Sequence, residues 1–324
     1  MLDTPVCTIL GISHPIVLGG MAGYTSAPLV AAVSNAGGLG TIGLATMTAE
    51  QVHTACGEIR KATDRPFGVN FLLFRLDDAA YDAALQERPP VMTLAWPRPE
   101  QNLAGYVRRA RAAGSRVMVM AGGVPEARRA AEAGAEIVIA QGTEGGGHVS
   151  WMGTLPLVPM VVDAVSPLPV LAAGGIADGR GLAAALALGA QGALVGTRFL
   201  ASEEAPLHPH FKQAILDSDG HDTVLTEIPD TLRGQIWPGA MARAQRNGFI
   251  ARWAGREWAL RAALSEAWAA VEAARQAGDA DNAYLLIGQD AGLIHDLPPA
   301  KVLIERMVDE AETILRQRLP TLVR

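Results

Sequence analysis

The chain has 324 residues, of which 49% are hydrophobic and 19% are charged, a composition typical of a compact globular enzyme. Its net charge of −6 argues against a nucleic-acid ligand, because no basic stretch could displace counterions from phosphates. The two cysteines cannot form a disulfide framework, and the N-terminal sequence lacks the apolar core of a signal peptide. No run of ~18 apolar residues is present. We therefore expect a cytoplasmic protein without a membrane segment.

Short apolar runs alternate with alanine-rich segments from the N-terminus to about residue 199. Buried parallel strands are continuous apolar runs, and their alternation with helices indicates right-handed β-α-β crossovers. Eight such units predict a closed (β/α)8 TIM barrel. The predicted strands are Ile16–Leu18, Leu39–Ile42, Phe67–Asn70, Val91–Leu94, Val117–Met120, Ile137–Ala140, Val170–Ala173 and Ala193–Gly196.

The segments between these strands have the apolar spacing of helices. Several of them end on an alanine followed by glycine, and a glycine there can take the left-handed conformation that ends a helix. The predicted helices are Ser26–Asn35, Ala49–Ala62, Asn102–Ala113, Pro125–Ala133 and Gly179–Leu188.

The alternation stops after Phe199. Residues 219–283 contain four of the six tryptophans and resemble helices rather than strands, with one long amphipathic helix predicted over Arg252–Gln276. We predict a barrel over residues 1–218, a helical insertion or cap over 219–283 after strand eight, and a C-terminal segment over 284–324. A helix over Pro298–Leu315 is expected to return to the barrel. The tryptophans are expected to pack the core of the insertion, or else to supply an apolar wall to a substrate pocket.

Four loops that follow predicted strands are rich in glycine and small polar residues: 19–23, 141–148, 173–179 and 195–198. Barrel enzymes keep their chemistry at the carboxyl ends of the strands, and often bind phosphate at the loops after strands seven and eight. Glycines let backbone N–H groups approach a phosphate closely. We therefore predict a phosphate site at Gly174, Gly175, Gly196 and Thr197. The P-loop and dinucleotide-fold patterns are missing, so a phosphate monoester cofactor fits better than ATP.

His148 is the candidate catalytic residue because it follows three glycines at the end of strand six. An imidazole there could act as a general base or hold a negative oxygen; the alternative is a histidine that only stabilises the loop. Asn70 and Gln141 place amides at strand ends, where they could either contact a flavin ring or tie two loops together. His208 and His210 flank a proline, but no third ligand has suitable spacing, so no metal site is predicted.

The chain resembles the nitronate monooxygenase family, formerly called 2-nitropropane dioxygenases. The same superfamily contains flavin-dependent enoyl-acyl-carrier-protein reductases and NADH:quinone reductases. The matching motifs are specific for the superfamily but less so for the member, and they are HPIVLGGMAG (14–23), NAGGLGTIG (35–43), RPFGVNF (65–71), AQGTEGGGH (140–148), LPVLAAGGIADGRGLAAALALGAQGALVGTRFLA (168–201) and GQDAGLI (288–294).

This resemblance implies a barrel that holds one non-covalent FMN, with His148 in the position of the family's catalytic histidine. It also implies flavin contacts from Gly20, Met21, Asn70, Gln141, Gly146, Gly174, Gly175, Leu194, Val195, Gly196, Thr197 and Gln289. The chain departs from some relatives by having no lysine at the end of strand five, where Met118–Gly122 stands instead. A cation for an anionic reduced flavin would then have to come from elsewhere.

The resemblance implies oxidation of alkyl nitronates, and of nitroalkanes, by FMN and O2 to a carbonyl compound and nitrite. The alternative is an NAD(P)H-dependent FMN reductase that acts on an enoyl thioester or a quinone. A barrel that has lost redox activity is disfavoured by the intact His148 loop. The expected partners are a small-molecule substrate and O2, and the sequence leaves the oligomeric state open, with a homodimer as one option.

Overall fold

We describe residues 2–323 of the chain from a computed structural model. Eleven strands lie within these residues: β1 Ile16–Leu18, β2 Gly40–Gly43, β3 Phe67–Leu72, β4 Val91–Ala95, β5 Arg116–Ala121, β6 Ile137–Gln141, β7 Gly147–Val149, β8 Val170–Ala173, β9 Ala193–Val195, β10 Thr223–Thr226 and β11 Met241–Gln245.

The helices alternate with strands up to β9, and the C-terminal third is mainly helical, with β10 and β11 between its helices. They are α1 Pro5–Leu10, α2 Ala27–Asn35, α3 Ala49–Ala62, α4 Asp78–Glu87, α5 Leu103–Ala112, α6 Val124–Glu132, α7 Thr154–Val165, α8 Gly179–Ala187, α9 Thr197–Leu200, α10 Pro209–Leu216, α11 Ile228–Arg233, α12 Gly248–Trp253, α13 Glu257–Ala262, α14 Leu264–Ala277 and α15 Ala300–Thr313. Shorter helical turns cover Leu73–Arg75, Gln289–Leu293, Ile314–Arg318 and Leu319–Leu322.

Eight parallel strands form the barrel, in the order β1-β9-β8-β6-β5-β4-β3-β2. The ring closes between β1 and β2, where Leu18 N donates to Leu39 O and Leu39 N donates to Ile16 O. The prediction of a (β/α)8 barrel is confirmed, and each predicted strand lies within two residues of its observed bounds. The predicted helices between the strands are confirmed to the same precision.

Apolar side chains fill the barrel from the bottom upward. Val17, Met118, Ile139 and Leu171 point into the ring from four different strands, and helix α1 packs Val6 and Leu10 against its amino end. A larger apolar layer lies between the strands and the outer helices. Because the lower barrel is filled, only the carboxyl end of the strands is left open for a ligand.

A second, antiparallel sheet lies over the barrel mouth, in the order β10-β11-β7. Strand β7 belongs to the loop after β6, whereas β10 and β11 come from the C-terminal third. We call residues 219–283 the cap. A separate apolar cluster, with members such as Ile228, Leu260 and Val271, forms its core.

The expectation that residues 219–283 contain only helices was wrong, because β10 and β11 lie there. Strand β11 has the sequence MARAQ, whose alanines favour helix, and only its pairing with β10 and β7 holds it extended. The single helix predicted over Arg252–Gln276 was also wrong. Gly255, at φ +73°, separates α12 from α13, and Ala263 separates α13 from α14.

Helix α15 packs against α8 and α2 on the outside of the barrel. The helix predicted over Pro298–Leu315 was expected to return to the barrel, and α15 does so. Glu310 contributes to this contact, because its carboxylate accepts a hydrogen bond of 2.8 Å from Gly179 N. None of the helices within residues 2–323 is long and apolar enough to cross a membrane.

Candidate active site at the barrel mouth

A cavity opens at the carboxyl ends of the barrel strands, beneath the cap. His148 lines it, together with ten of the twelve residues predicted to bind a cofactor. These ten are Gly20, Met21, Asn70, Gln141, Gly146, Gly174, Gly175, Leu194, Gly196 and Thr197.

The remaining two predicted residues, Val195 and Gln289, do not line the cavity. Val195 is 1% exposed, and its carbonyl accepts a hydrogen bond of 2.9 Å from Gly19 N, so it supports the loop after β1 from behind. Gln289 has an exposed side chain, while its N–H donates to Glu144 O at 2.9 Å. The next residue, Asp290, is buried and reaches the cavity instead.

His148 is held by two cap residues. Its Nε2 lies 2.8 Å from Asp230 Oδ1, and both side chains are 7% exposed. The indole of Trp237 stacks on the imidazole, with ring centroids 3.3 Å apart and planes 8° from parallel. The histidine is therefore fixed in both position and ring orientation, which is the arrangement expected of a group that must meet a reacting atom.

The contact with Asp230 also selects the tautomer of His148. A carboxylate can only accept a hydrogen bond, so Nε2 carries the proton and Nδ1 presents a lone pair. Among the described residues Nδ1 has no hydrogen-bond partner. Burial lowers the pKa of His148 below its ordinary value, and the hydrogen bond and charge of Asp230 oppose this shift. At neutral pH the imidazole is consequently neutral and able to take a proton.

Strand β7 holds His148 at the mouth because it pairs with cap strand β11, with His148 opposite Ala242 and Gly147 opposite Arg243. Arg243 strengthens this junction, since its buried guanidinium donates from Nε to Thr143 O at 2.8 Å. The histidine thus belongs to the barrel in sequence but depends on the cap for its placement.

Asn70, at the end of β3, ties two parts of the cavity together. Its Nδ2 donates to Gly20 O at 2.9 Å. A Cβ on Gly20 would lie 2.4 Å from the Cβ of Asn70, so only glycine permits this approach. Asn70 thus ties two loops together and also lines the cavity, and its contact with a flavin ring stays a prediction.

Three buried polar atoms in the cavity lining have no hydrogen-bond partner among the described residues: Gln141 Oε1, Thr93 Oγ1 and Trp237 Nε1. Buried polar groups are normally paired, because an unpaired one costs about 1–3 kcal/mol. Gln141 ends β6 and Thr93 lies in the middle of β4, and a bound ring with alternating donors and acceptors would satisfy both oxygens. The donor set therefore fits a flavin.

The loops after β8 and β9 form the opposite end of the cavity. Gly174 and Gly175 have φ of +93° and +74°, which favours glycine at both positions. Thr197 fixes the neighbouring loop, because its Oγ1 accepts a hydrogen bond of 3.0 Å from Gly288 N. Asp290 lies in the same lining, and burial raises its pKa to about 6.

Near the end of β5, where some relatives have a lysine, Met120 lines the cavity of this chain. Within residues 2–323 the one guanidinium that lines the cavity is that of Arg233, which comes from the end of α11 in the cap. Arg233 is therefore the residue that can supply a positive charge where the relatives with a lysine supply one from the barrel.

Sequence reasoning missed four residues of this lining or its support: Thr93, Asp230, Arg233 and Asp290. Asp230 is 82 positions from His148, and no local pattern marks it as a partner. Trp237 lines the cavity rather than packing the core of the insertion, and Trp258 is 73% exposed. For Trp237 the alternative interpretation, an apolar wall of the pocket, was the correct one.

No group of three or more His, Cys, Asp or Glu side chains within residues 2–323 could hold a metal ion. His208 and His210 lie 4.8 Å apart between ring centroids, and Nδ1 of His210 pairs with Gly278 O. These contacts hold both histidines at the start of α10.

Polar groups that converge at the carboxyl ends of barrel strands define an α/β-barrel enzyme. Comparison with known proteins then identifies its family. The nitronate monooxygenase family model matches residues 3–88 and 82–310. The chain belongs to this family, and it is an oxidoreductase.

Individual relatives carry different names. The (3aS,4S,5R,7aS)-5-hydroxy-7a-methyl-1-oxo-octahydro-1H-indene-4-carboxyl-CoA dehydrogenase of Mycobacterium tuberculosis is 37% identical over 97% of this chain and 98% of its own. The structure of FabK from Thermotoga maritima is 37% identical with a TM-score of 0.89, and covers 100% of both chains. The nitroalkane oxidase of Streptomyces ansochromogenes is 30% identical with a TM-score of 0.83, and covers 94% of this chain and 97% of its own.

Proposed function

We propose that the cavity binds FMN, with its phosphate at the Gly174–Gly175 and Gly196–Thr197 loops. The unpaired oxygens of Gln141 and Thr93 support a polar ring at the other end of the cavity. When bound, this cofactor would supply the redox chemistry, while the protein supplies orientation and electrostatics.

We propose that the enzyme oxidises alkyl nitronates, and the nitroalkanes from which they form, with O2 to a carbonyl compound and nitrite. The observation that carries this proposal is the buried His148–Asp230 pair, whose Nδ1 lone pair belongs to a neutral imidazole in the cavity. A nitroalkane carries an acidic proton next to the nitro group, and a base held in this way can remove it.

For a nitronate, which is already an anion, the base has no proton to remove. Arg233 then becomes the relevant group, because its guanidinium lines the same cavity and can attract the negative oxygens. The two substrates therefore depend on different residues. The family match and the similarity to a nitroalkane oxidase support a nitro compound as the substrate class.

Anaerobic reduction of the bound flavin tests the proposal. The yellow protein would be mixed separately with 2-nitropropane, propionate-3-nitronate, NADH and NADPH, and its absorbance followed. We expect rapid bleaching by the nitronate. Bleaching by NADH or NADPH without bleaching by the nitronate would reject nitronate oxidation, and a colourless protein that cannot be reconstituted with FMN would reject the cofactor.

A second candidate is redox chemistry on a coenzyme A thioester, or an NAD(P)H-dependent reduction. It is favoured by the similarity to the dehydrogenase of Mycobacterium tuberculosis, whose name specifies a carboxyl-CoA substrate and whose alignment spans nearly the whole chain. The same reduction assay separates the candidates, because NAD(P)H or the acyl-CoA, but not the nitronate, would change the flavin spectrum. We also propose that the barrel ends at residue 218 and the cap at residue 283. A cytoplasmic location and a homodimer are further proposals.

A further inference from the structure

A groove between the barrel loops and the cap continues from the cavity. We call it the arginine groove, because it is lined by Arg75, Arg233 and Arg275; its other lining residues include Gln235, Trp268 and Glu272. The groove and the cavity share the residues Ala22, Tyr24, Leu72 and Arg233. A ligand that begins in the cavity can therefore extend into the groove without leaving the surface of the protein.

The three guanidinium groups carry more positive charge than their surroundings compensate. None of them forms an ion pair within 4.0 Å of a carboxylate in residues 2–323. Burial, and then the neighbouring charge of Arg233, lower the pKa of Arg75 below its ordinary value. Arg275 donates to Tyr24 Oη at 3.3 Å and lies 4.3 Å from the centroid of the Tyr284 ring, and the negative charge of Glu272 also acts on it.

The uncharged groups of the groove point to a ligand with a flat polar part. Trp268 is 40% exposed and presents an indole on which a base could stack. Gln235 Oε1 is buried without a hydrogen-bond partner among the described residues. Glu272, the acidic residue of this lining, can accept hydrogen bonds from ribose hydroxyls or an exocyclic amine.

We propose that the arginine groove binds the adenosine-linked pyrophosphate of an extended substrate or cosubstrate, whose reactive end enters the cavity beside His148. Adjacent arginines that repel one another are stabilised by a ligand with several negative oxygens, and guanidinium groups match phosphate oxygens in geometry. A small nitronate would leave this groove empty. The inference goes beyond nitronate oxidation; it rests on the second candidate function and assigns that function a binding site.

Two sources share this chemistry: coenzyme A and its thioesters, and NADH or NADPH. Isothermal titration of the flavin-loaded protein with CoA, NADH, NADPH and inorganic pyrophosphate distinguishes them. We expect saturable binding of CoA or of a reduced nicotinamide dinucleotide, which names the source, and weaker binding of inorganic pyrophosphate. Binding should weaken as salt is added, because the contact is electrostatic.

Three variants locate the binding site. Arg75→Gln should raise the Kd about tenfold, since a hydrogen bond to a charged group is lost. Trp268→Ala should raise the Kd for the nucleotides but leave that for pyrophosphate unchanged. Arg128→Gln, which removes the same charge from an exposed position on α6, is the matched control and should bind as the unaltered protein does.

The inference is overturned if neither CoA nor a nicotinamide dinucleotide binds saturably, if Arg75→Gln binds as tightly as the Arg128→Gln control, or if pyrophosphate binds as tightly as the nucleotides. Nitronate turnover measured without nucleotide is an independent readout. Loss of that activity with nucleotide binding intact would reject the proposed function alone, and the reverse result would reject the arginine groove alone.

Discussion

The barrel and the cap differ in how directly their sequences specify them. Each barrel strand is a continuous apolar run between a glycine turn and an alanine-rich helix, so neighbouring residues determine it. The cap strand β11, in contrast, has no strand pattern of its own and exists because β10 and β7 flank it. Local sequence therefore predicts the part that would hold the cofactor, but not the part that places the histidine.

The barrel and the cap also contribute different groups to the candidate active site. The barrel contributes the glycines and the unpaired oxygens of Gln141 and Thr93, whereas the cap contributes Asp230, Arg233 and Trp237. If this division is correct, changes in the cap should alter turnover and leave the flavin in place. The predictions below test that expectation.

The largest effect is expected for His148→Asn, which removes the base from the cavity. Turnover of 2-nitropropane should fall about a thousandfold, within the range for loss of general base catalysis, while the flavin stays bound. Turnover of the nitronate should fall less, because it has no proton to lose. Steady-state kinetics and the visible spectrum measure both effects. His221→Asn, at an exposed position, is the control, and equal activity in the two variants would show that His148 is structural.

Asp230→Asn keeps an acceptor near His148 but removes the charge. The kcat for 2-nitropropane should fall on the order of 10²-fold, because a charge-assisted hydrogen bond is lost. Since Asp230 raises the pKa of His148, the acidic limb of the pH–rate profile should move to lower pH in the variant. A purely structural defect would lower the rate without moving the profile. Asp64→Asn, exposed and remote, should change neither quantity.

Asp290→Asn tests the part of the cavity lining that the C-terminal segment supplies, and it does so through stability. The pKa of the buried carboxyl is about 6, above its ordinary value of 3.8, so its ionisation costs folding free energy as the pH rises through this interval. The gain in free energy of unfolding of the variant should grow by about 2 kcal/mol between about pH 4.5 and 7.5. Urea unfolding measures it, and Asp309→Asn, which is exposed, should show no such trend.

The smallest effect is expected for Trp237→Leu. Removal of the stacked ring leaves the Asp230 contact intact, so kcat should fall about two- to tenfold, which corresponds to the ~0.5–1.5 kcal/mol of an aromatic stack. The flavin content should not change. Trp258→Leu removes an indole that is 73% exposed and serves as the control. A loss of flavin in Trp237→Leu would contradict the division between barrel and cap.

The limits of sequence reasoning follow from these residues. His148, Gly174 and Gly175 were predictable because each follows a recognisable strand, and the barrel geometry brings all strand ends together. Asp230 was not predictable, since its role arises from a contact across 82 positions and no local pattern marks it as the partner of His148. Arg233 shares this property. Hydrophobic periodicity and sequence motifs describe one segment at a time. The cap residues act on the site through contacts between segments that are distant in sequence.

The pairing of β7 with β11 also limits how this enzyme can be re-engineered. A cap grafted from a relative would change the wall of the pocket, but it would have to present a strand that keeps Ala242 opposite His148. A shift of one residue would turn the imidazole to the other face of the ribbon, because successive side chains of a strand point in opposite directions. Chimeras should therefore exchange 147–149 together with the cap, as one transplantable unit.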